Sequence, residues 1–254
     1  MTDGPPRVEP PDELGTITGS PGRPIRVDDQ APSELSPRRA ELFRLADGLR
    51  GVLHRMVQTS APVELISAAA DQLEQVVATM ARHRSASTYE GFAETANAGR
   101  PIGFFDHSPL VGHANPLAPP IELLLEGETL VGRATFGAAY EGPPGCVHGG
   151  FVAAAFDEVL GATQSLGGVP GMTGRLTVHY RSPTPLHTEL RFEGRVVSVT
   201  GRKILTKGHL WAGEVLCADA EALFISINPA KLAELQVLRD QQQIDDDTSP
   251  APTS

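Results

Sequence analysis

Val147-His148-Gly149-Gly150 stands where a turn-rich loop, Gly142-Pro143-Pro144-Gly145, runs into an apolar stretch, Phe151 to Ala162, that carries the carboxylates Asp157 and Glu158. Residue types and spacing there suit chemistry at a carbonyl group. The first backbone N–H groups of a helix have no partner within it, and the dipole places roughly half a positive charge at that end. Such an end suits an oxygen that becomes negative during reaction. Gly149 has no Cβ, so a carbonyl can approach its N–H closely. His148 can position the loop or polarise the same carbonyl. Asp157 lies eight residues beyond Gly149, about 12 Å along one helix at the usual rise. One helix cannot place both on one carbonyl, whereas two helices antiparallel across a two-fold axis can. If both residues are catalytic, the chain must be at least a dimer with two equivalent sites. The plainer alternative is a tight helix start and a polar helix residue bonded to nearby backbone.

The elements that must position these groups can be read from periodicity. Residues 151–162 are apolar on nearly every side, the mark of a buried helix. Two strands precede it, Ile121 to Glu126 and Thr129 to Phe136, around the hairpin signal Gly127-Glu128. Four follow it: Arg175 to Arg181, Glu189 to Val199, Lys203 to Trp211 and Glu214 to Asn228, the last three separated by Gly201-Arg202 and Ala212-Gly213. Short connections imply an antiparallel sheet. One helix against one antiparallel sheet is an α+β layout.

Two further helices are expected upstream. Ser36-Pro37 is a helix start, and Leu42, Leu45, Ala46, Leu49, Val52, Leu53 and Met56 form an apolar stripe. A second start at Ala61-Pro62 leads into Leu65, Ile66, Ala69, Leu73, Val76 and Met80. The pair is read as antiparallel, its stripes serving core packing or an oligomer contact. Glu64, Asp71 and Glu74 argue against a membrane-surface role, which needs a basic polar face. Residues 85–120, broken by glycines and prolines, are expected as an irregular segment over the sheet, with Phe104, Phe105 and Leu110 as contacts. Asp106, His107 and His113 lie in it as loop residues with a small claim to a site. Residues 1–35, rich in Pro, Gly and acidic residues, and the Ser/Pro/Thr tail after a short helix at Ala230 to Arg239 are expected to be disordered. The resulting division is 1–35 tail, 36–84 helical extension, 85–229 main domain and 230–254 short helix with acidic tail.

Composition narrows the function. The 254 residues have a formal net charge of −10 and a pI of about 5.2, which disfavours a nucleic-acid binder held by phosphate contacts. Two cysteines, Cys146 and Cys217, form neither a disulfide framework nor a zinc pattern, so a reducing cytoplasm is the expected compartment. The N-terminus has no signal-peptide pattern, and no apolar run approaches the ~20 residues of a membrane span.

The loop Gly142-x-Pro144-Gly145-x-Val147-His148-Gly149-Gly150, with Asp157 nine residues after His148, resembles the hotdog-fold acyl-CoA thioesterases, most closely the PaaI-type and thioesterase superfamily member branch. Met172 to Leu186 agrees: the family has a Thr-x-x-Leu-x-(apolar)-x-Tyr-(basic)-x-Pro strand, and its Thr or Ser follows the aspartate by sixteen residues, as Thr173 does. Asn115-Pro116-Leu117 agrees more weakly. The resemblance covers roughly residues 100–229. It implies a hotdog fold, an antiparallel sheet wrapped around a long central helix, here with an N-terminal helical pair. It implies hydrolysis of an acyl-CoA thioester to free acid and CoA, in lipid metabolism, without metal or organic cofactor, by a homodimer or dimer of dimers. The Gly149 N–H would hold the thioester oxygen, Asp157 would activate water or attack directly, Thr173 would orient the water or Asp157, and His148 would support the loop. Gly150, Ala154, Arg175 and Arg181 are the implied substrate contacts: Ala153 to Ala155 leave room for the acyl chain, and Arg175, Arg181, Arg202 and Lys203 are candidates for CoA phosphates. Many PaaI-type enzymes carry Asn where this chain has Gly142, which removes one water ligand. Glu158 is the rival carboxylate, about 100° further round the helix. A non-catalytic acyl-ligand-binding or regulatory hotdog protein is the alternative. A hydratase is weaker, because its motif wants His about five residues after the Asp and position 162 is Ala.

Overall fold

The computed structural model describes residues 37–83, 105–166 and 171–226. The expected N-terminal tail, Phe104, the helix at Ala230 to Arg239 and the acidic tail lie outside these residues. Six strands form one antiparallel sheet: β1 Glu122–Glu126, β2 Thr129–Thr135, β3 Gly171–Tyr180, β4 Glu189–Thr200, β5 Lys203–Ala212 and β6 Val215–Ser226. Their order is β1-β2-β4-β5-β6-β3. Hairpins follow the expected punctuation, with Gly127, Gly201 and Gly213 at φ of 62, 58 and 57°, a region that costs glycine little. The strand after the central helix therefore lies at the sheet edge beside β6, away from β2.

Helix α3, Gly149–Ser165, packs against β2 to β6. It buries Val152, Ala155, Phe156, Val159 and Leu160. Phe156 meets the fully buried Phe192 of β4 edge-on, ring centres 5.3 Å apart. The helix lies close because the strands beneath it carry no side chain where it crosses. Gly194 of β4 pairs with Gly208 of β5. A Cβ on Gly194 would sit 2.2 Å from Thr163 Oγ1, and one on Gly208 would sit 3.0 Å from Leu160 Cδ2. Burial of α3 is not complete, however. Gly150 and Phe151 are exposed, and Ala153, Ala154, Asp157, Glu158 and Gly161 are half-buried. The apolar run is thus buried against the sheet but open along one side.

The two N-terminal helices form where expected: α1 Pro37–Met56 and α2 Val63–Met80. Helix α1 docks on the domain through buried Ala46 and Arg50. Arg50 donates to the His113 carbonyl at 2.8 Å, Arg39 pairs with both oxygens of Asp106 at 2.6 and 2.9 Å, and Phe43 stacks near His113 with ring centres 5.3 Å apart. Helix α2 differs from the core-packing expectation. It buries no residue, and Leu65, Ile66, Val77 and Met80 are exposed. Among the described residues no sheet or helix covers the α2 stripe. No helix among the described residues is long and apolar enough to cross a membrane.

Candidate active site

The loop before α3 is built to present a helix start. Its ends are tied by an isolated bridge between Glu141 and Val147, and Gly142 N–H donates to the Cys146 carbonyl at 2.9 Å. Gly145 takes φ of 74°, and its N–H donates to Glu141 Oε1 at 2.7 Å. Val147 N–H donates to the Thr184 carbonyl and His148 N–H to the Tyr140 carbonyl, both at 2.8 Å. Gly142 sits flush against the loop's own histidine: a Cβ there would lie 2.7 Å from His148 Cα. The side chain found at this position in many PaaI-type enzymes therefore has no room here.

His148 is the N-cap of α3, with φ of −60° and ψ of 132°. Its Nδ1 accepts the Gly150 N–H at 3.0 Å, and its carbonyl accepts from Phe151 and Val152 at 2.9 and 3.3 Å. A ring that accepts at Nδ1 carries its proton on Nε2 when neutral. Among the described residues the Gly149 N–H has no hydrogen-bond partner, and it is the first amide of the helix. Gly150, by contrast, has its N–H taken by His148. Tyr180 of β3 donates its hydroxyl to the Gly149 carbonyl at 2.7 Å, which fixes the peptide that follows the free amide. Sequence reading gave Tyr180 no role. The available signal was its parity with Leu176 and Val178, which places it on the face toward α3.

Two turns further along α3, Asp157 Oδ1 accepts the Thr173 hydroxyl at 2.8 Å. A β-bulge makes this possible. Thr173 pairs with Phe224 and Arg175 with Leu223, leaving Gly174 as an extra residue. Residues two apart share a face of a regular strand, so Thr173 and Leu176, three apart, would lie on opposite faces if the bulge did not take Gly174 out of the alternation. The insertion brings Thr173 to the helix side with Leu176, Val178 and Tyr180.

Glu158 points elsewhere. Its Oε1 accepts the Ser108 hydroxyl at 3.1 Å, and Ser108 Oγ in turn accepts the N–H groups of Leu110 and Val111 at 3.2 and 3.3 Å. Burial raises its carboxyl above the usual glutamate range, the Ser108 bond opposes this, and the neighbouring Asp157 charge adds to it. The segment from Phe105 to Pro120 thus covers Glu158 and receives α1. Asp106 and His113 serve that docking, and the His107 carbonyl accepts from Asn115 at 3.0 Å.

The other expected contacts are dispersed. Ala153 and Ala154 lie on the half-open side of α3, whereas Ala155 faces the core. Arg175 is exposed and pairs with Glu221 of β6 at 3.3 Å. Arg181 pairs with Asp219, and Arg202 donates to the Ser226 carbonyl at 3.0 Å. No group of three or more His, Cys, Asp or Glu among the described residues is placed to hold a metal ion.

The thioesterase superfamily pattern matches residues 144–218, from the loop before α3 into β6. The acyl-coenzyme A thioesterase THEM4 of Xenopus laevis is 38% identical over 97 residues, 37% of this chain and 43% of the relative. Its Mus musculus counterpart is 32% identical over 97 residues, 37% of this chain and 42% of the relative. The chain thus spans less than half the length of these curated relatives. A thioesterase superfamily protein of known crystal structure is 33% identical with a TM-score of 0.65, and the match covers 72% of this chain and 94% of that one. With an antiparallel sheet packed around one long helix, and that extent of likeness to a solved member, the chain belongs to the thioesterase superfamily and has its hotdog fold.

Proposed function

We propose that the protein hydrolyses acyl-CoA thioesters to a free acid and CoA, at two equivalent sites each built from two copies of the chain. The observation that carries this is the unpartnered Gly149 N–H, which opens α3 on the side where Asp157 is held by Thr173. The names of the curated relatives support the substrate class. In the reaction, the Gly149 amide of one copy receives the thioester oxygen. Asp157 of the other copy, oriented by the Thr173 hydroxyl, takes a proton from water as the water oxygen bonds to the carbonyl carbon. The carbon–sulfur bond then breaks, and the thiolate leaves as CoA and takes up the proton. His148 holds the loop through its bond to Gly150, and Tyr180 holds the Gly149 carbonyl. The half-open side of α3 at Ala154 receives the acyl chain, while Arg175 and Arg181, each paired with a carboxylate of β6, are the candidate cations for the CoA phosphates.

Two copies are needed because eight residues of helix separate the amide from the acid, about 12 Å. Support for pairing comes from β3, an edge strand with exposed Met172 and Tyr180, since an open edge is a ready template for a second chain. In this reading residues 36–84 are an extension and 85–229 the catalytic domain. The free thiols Cys146 and Cys217 support a reducing compartment, the cytoplasm.

The test is complementation. Proline is well tolerated at the first position of a helix and has no N–H, so Gly149→Pro deletes the amide and keeps α3. Gly149→Pro and Asp157→Asn should each lower kcat on acyl-CoA roughly a hundredfold or more. Mixing the two variants through unfolding and refolding should restore about a quarter of wild-type activity, because half the dimers are mixed and one of their two sites is intact. No recovery means that the site does not span two copies. Acyl-CoA binding without turnover by the wild type sinks the enzymatic reading in favour of a ligand-binding protein.

A further inference from the structure

The Ala138–Tyr140 turn that supports the active-site loop lacks a cap of its own. It is a short 3-10 helix, its N-cap is Gly137, and no side chain of the turn caps it. The first N–H groups of a helical turn need an acceptor from elsewhere. Here it comes from the N-terminal extension: Ala139 N–H donates to Nδ1 of His54, in the last turn of α1, at 3.1 Å. The fit is tight, because a Cβ on Gly137 would lie 2.7 Å from His54 Cε1. Burial, with His187 and Arg50 beside it, holds the His54 imidazole below its ordinary range. That direction agrees with the geometry, in which Nδ1 accepts an N–H through its lone pair.

The capped turn ends in Tyr140, from which the catalytic helix start hangs. The Tyr140 carbonyl accepts the His148 N–H at 2.8 Å. Its hydroxyl donates to the Leu117 carbonyl at 2.8 Å. Its ring meets His54 at 5.5 Å and Phe151, in the first turn of α3, at 5.0 Å, both edge-on. Helix α1 is itself fixed by the Arg39 and Arg50 contacts described above, so its end cannot slide freely. A continuous path of bonds thus runs from α1 through Ala139 and Tyr140 to His148 and the Gly149 amide.

We infer that His54 is a positioning residue for this site: the N-terminal helix caps, across the fold, the turn that sets the height and direction of the Gly149 amide. The inference rests on the proposed hydrolysis for its kinetic consequence, but its structural half can be read without substrate. The experiment compares full-length wild type, His54→Leu and His54→Asn by acyl-CoA kinetics and by amide hydrogen exchange over residues 138–151. The asparagine carbonyl can stand where Nδ1 stands, and leucine offers no acceptor. The expected result for His54→Leu is a kcat about tenfold lower with KM little changed and exchange about tenfold faster over 138–151, the effect of losing one typical hydrogen bond. His54→Asn should restore both to near wild type. Wild-type kcat and exchange in His54→Leu overturn the inference, as does a kcat loss without faster exchange, or an asparagine variant as impaired as the leucine one. If the wild type turns over no acyl-CoA, the proposed function fails by itself, and the exchange comparison still decides the role of His54.

Discussion

Thr173 donates its hydroxyl to Asp157 at 2.8 Å, and it reaches the carboxylate only because Gly174 bulges from β3. The bond occupies Oδ1 and fixes the carboxylate from the edge of the sheet, on the half-open side of α3. Removing the hydroxyl should cost orientation, whereas removing the carboxylate should cost the proposed proton acceptor. Thr173→Val is therefore expected to lower kcat roughly tenfold, and Asp157→Asn roughly 10²- to 10⁴-fold. Steady-state kinetics with thermal melts as a fold control check this. Equal losses for the two variants would show that Thr173 does more than orient.

Tyr180→Phe removes the bond to the Gly149 carbonyl and leaves the ring in place. The donor is exposed, so stability should change by less than about 1 kcal/mol. The kinetic effect should be larger, a kcat several-fold lower, because the freed peptide adjoins the amide proposed to receive the oxyanion. A Tyr180→Phe enzyme with wild-type kcat would show that the helix start is rigid without it.

Glu158 sets a pH dependence of stability. Its folded pKa is raised above the usual value of 4.5, chiefly by burial. Its favourable contribution is thus full below that value, where the group is neutral in both states, and is lost as pH rises through the folded pKa. Stability from this group therefore falls as pH rises toward neutral. Glu158→Gln keeps an acceptor for Ser108 and removes the charge, so its melting temperature should exceed wild type at pH 7 and match it near pH 4. Thermal melts across this range check the sign; a gain that grows toward low pH contradicts it.

Gly194→Val tests how closely α3 lies on the sheet. The new side chain would collide with Thr163, whose Oγ1 already stands 2.2 Å from an ideal Cβ. Overpacking of this kind costs about 1–3 kcal/mol or more. Denaturant unfolding should show that loss. Because α3 must lift, activity should fall too, although position 194 touches no catalytic group.

Much of the fold was legible in one dimension because its signals are local. Alternation marked the strands, glycines marked the hairpins, and the apolar stripes marked α1 and α2. The helix start at His148 and Gly149 and the mid-helix carboxylate of Asp157 were legible from chain spacing, whereas Thr173 was singled out only by the family resemblance, since the strand expected from alternation began at Arg175 and the observed one begins at Gly171. The chemistry of Glu158 was not, because its partner Ser108 lies fifty residues away and only packing brings them together.

Tertiary structure alone decided three matters, each a consequence of long-range contact. It set β3 beside β6 at the edge, where strand order is fixed by how α3 crosses the sheet. It gave Gly194 and Gly208 their purpose, since in sequence they only weaken strands. It separated the fates of the two N-terminal helices: their stripes look alike in the chain, yet α1 is seated through Arg39, Arg50 and His54, while α2 buries nothing. Periodicity reports which face of a helix is apolar; only the folded neighbour decides whether that face is covered.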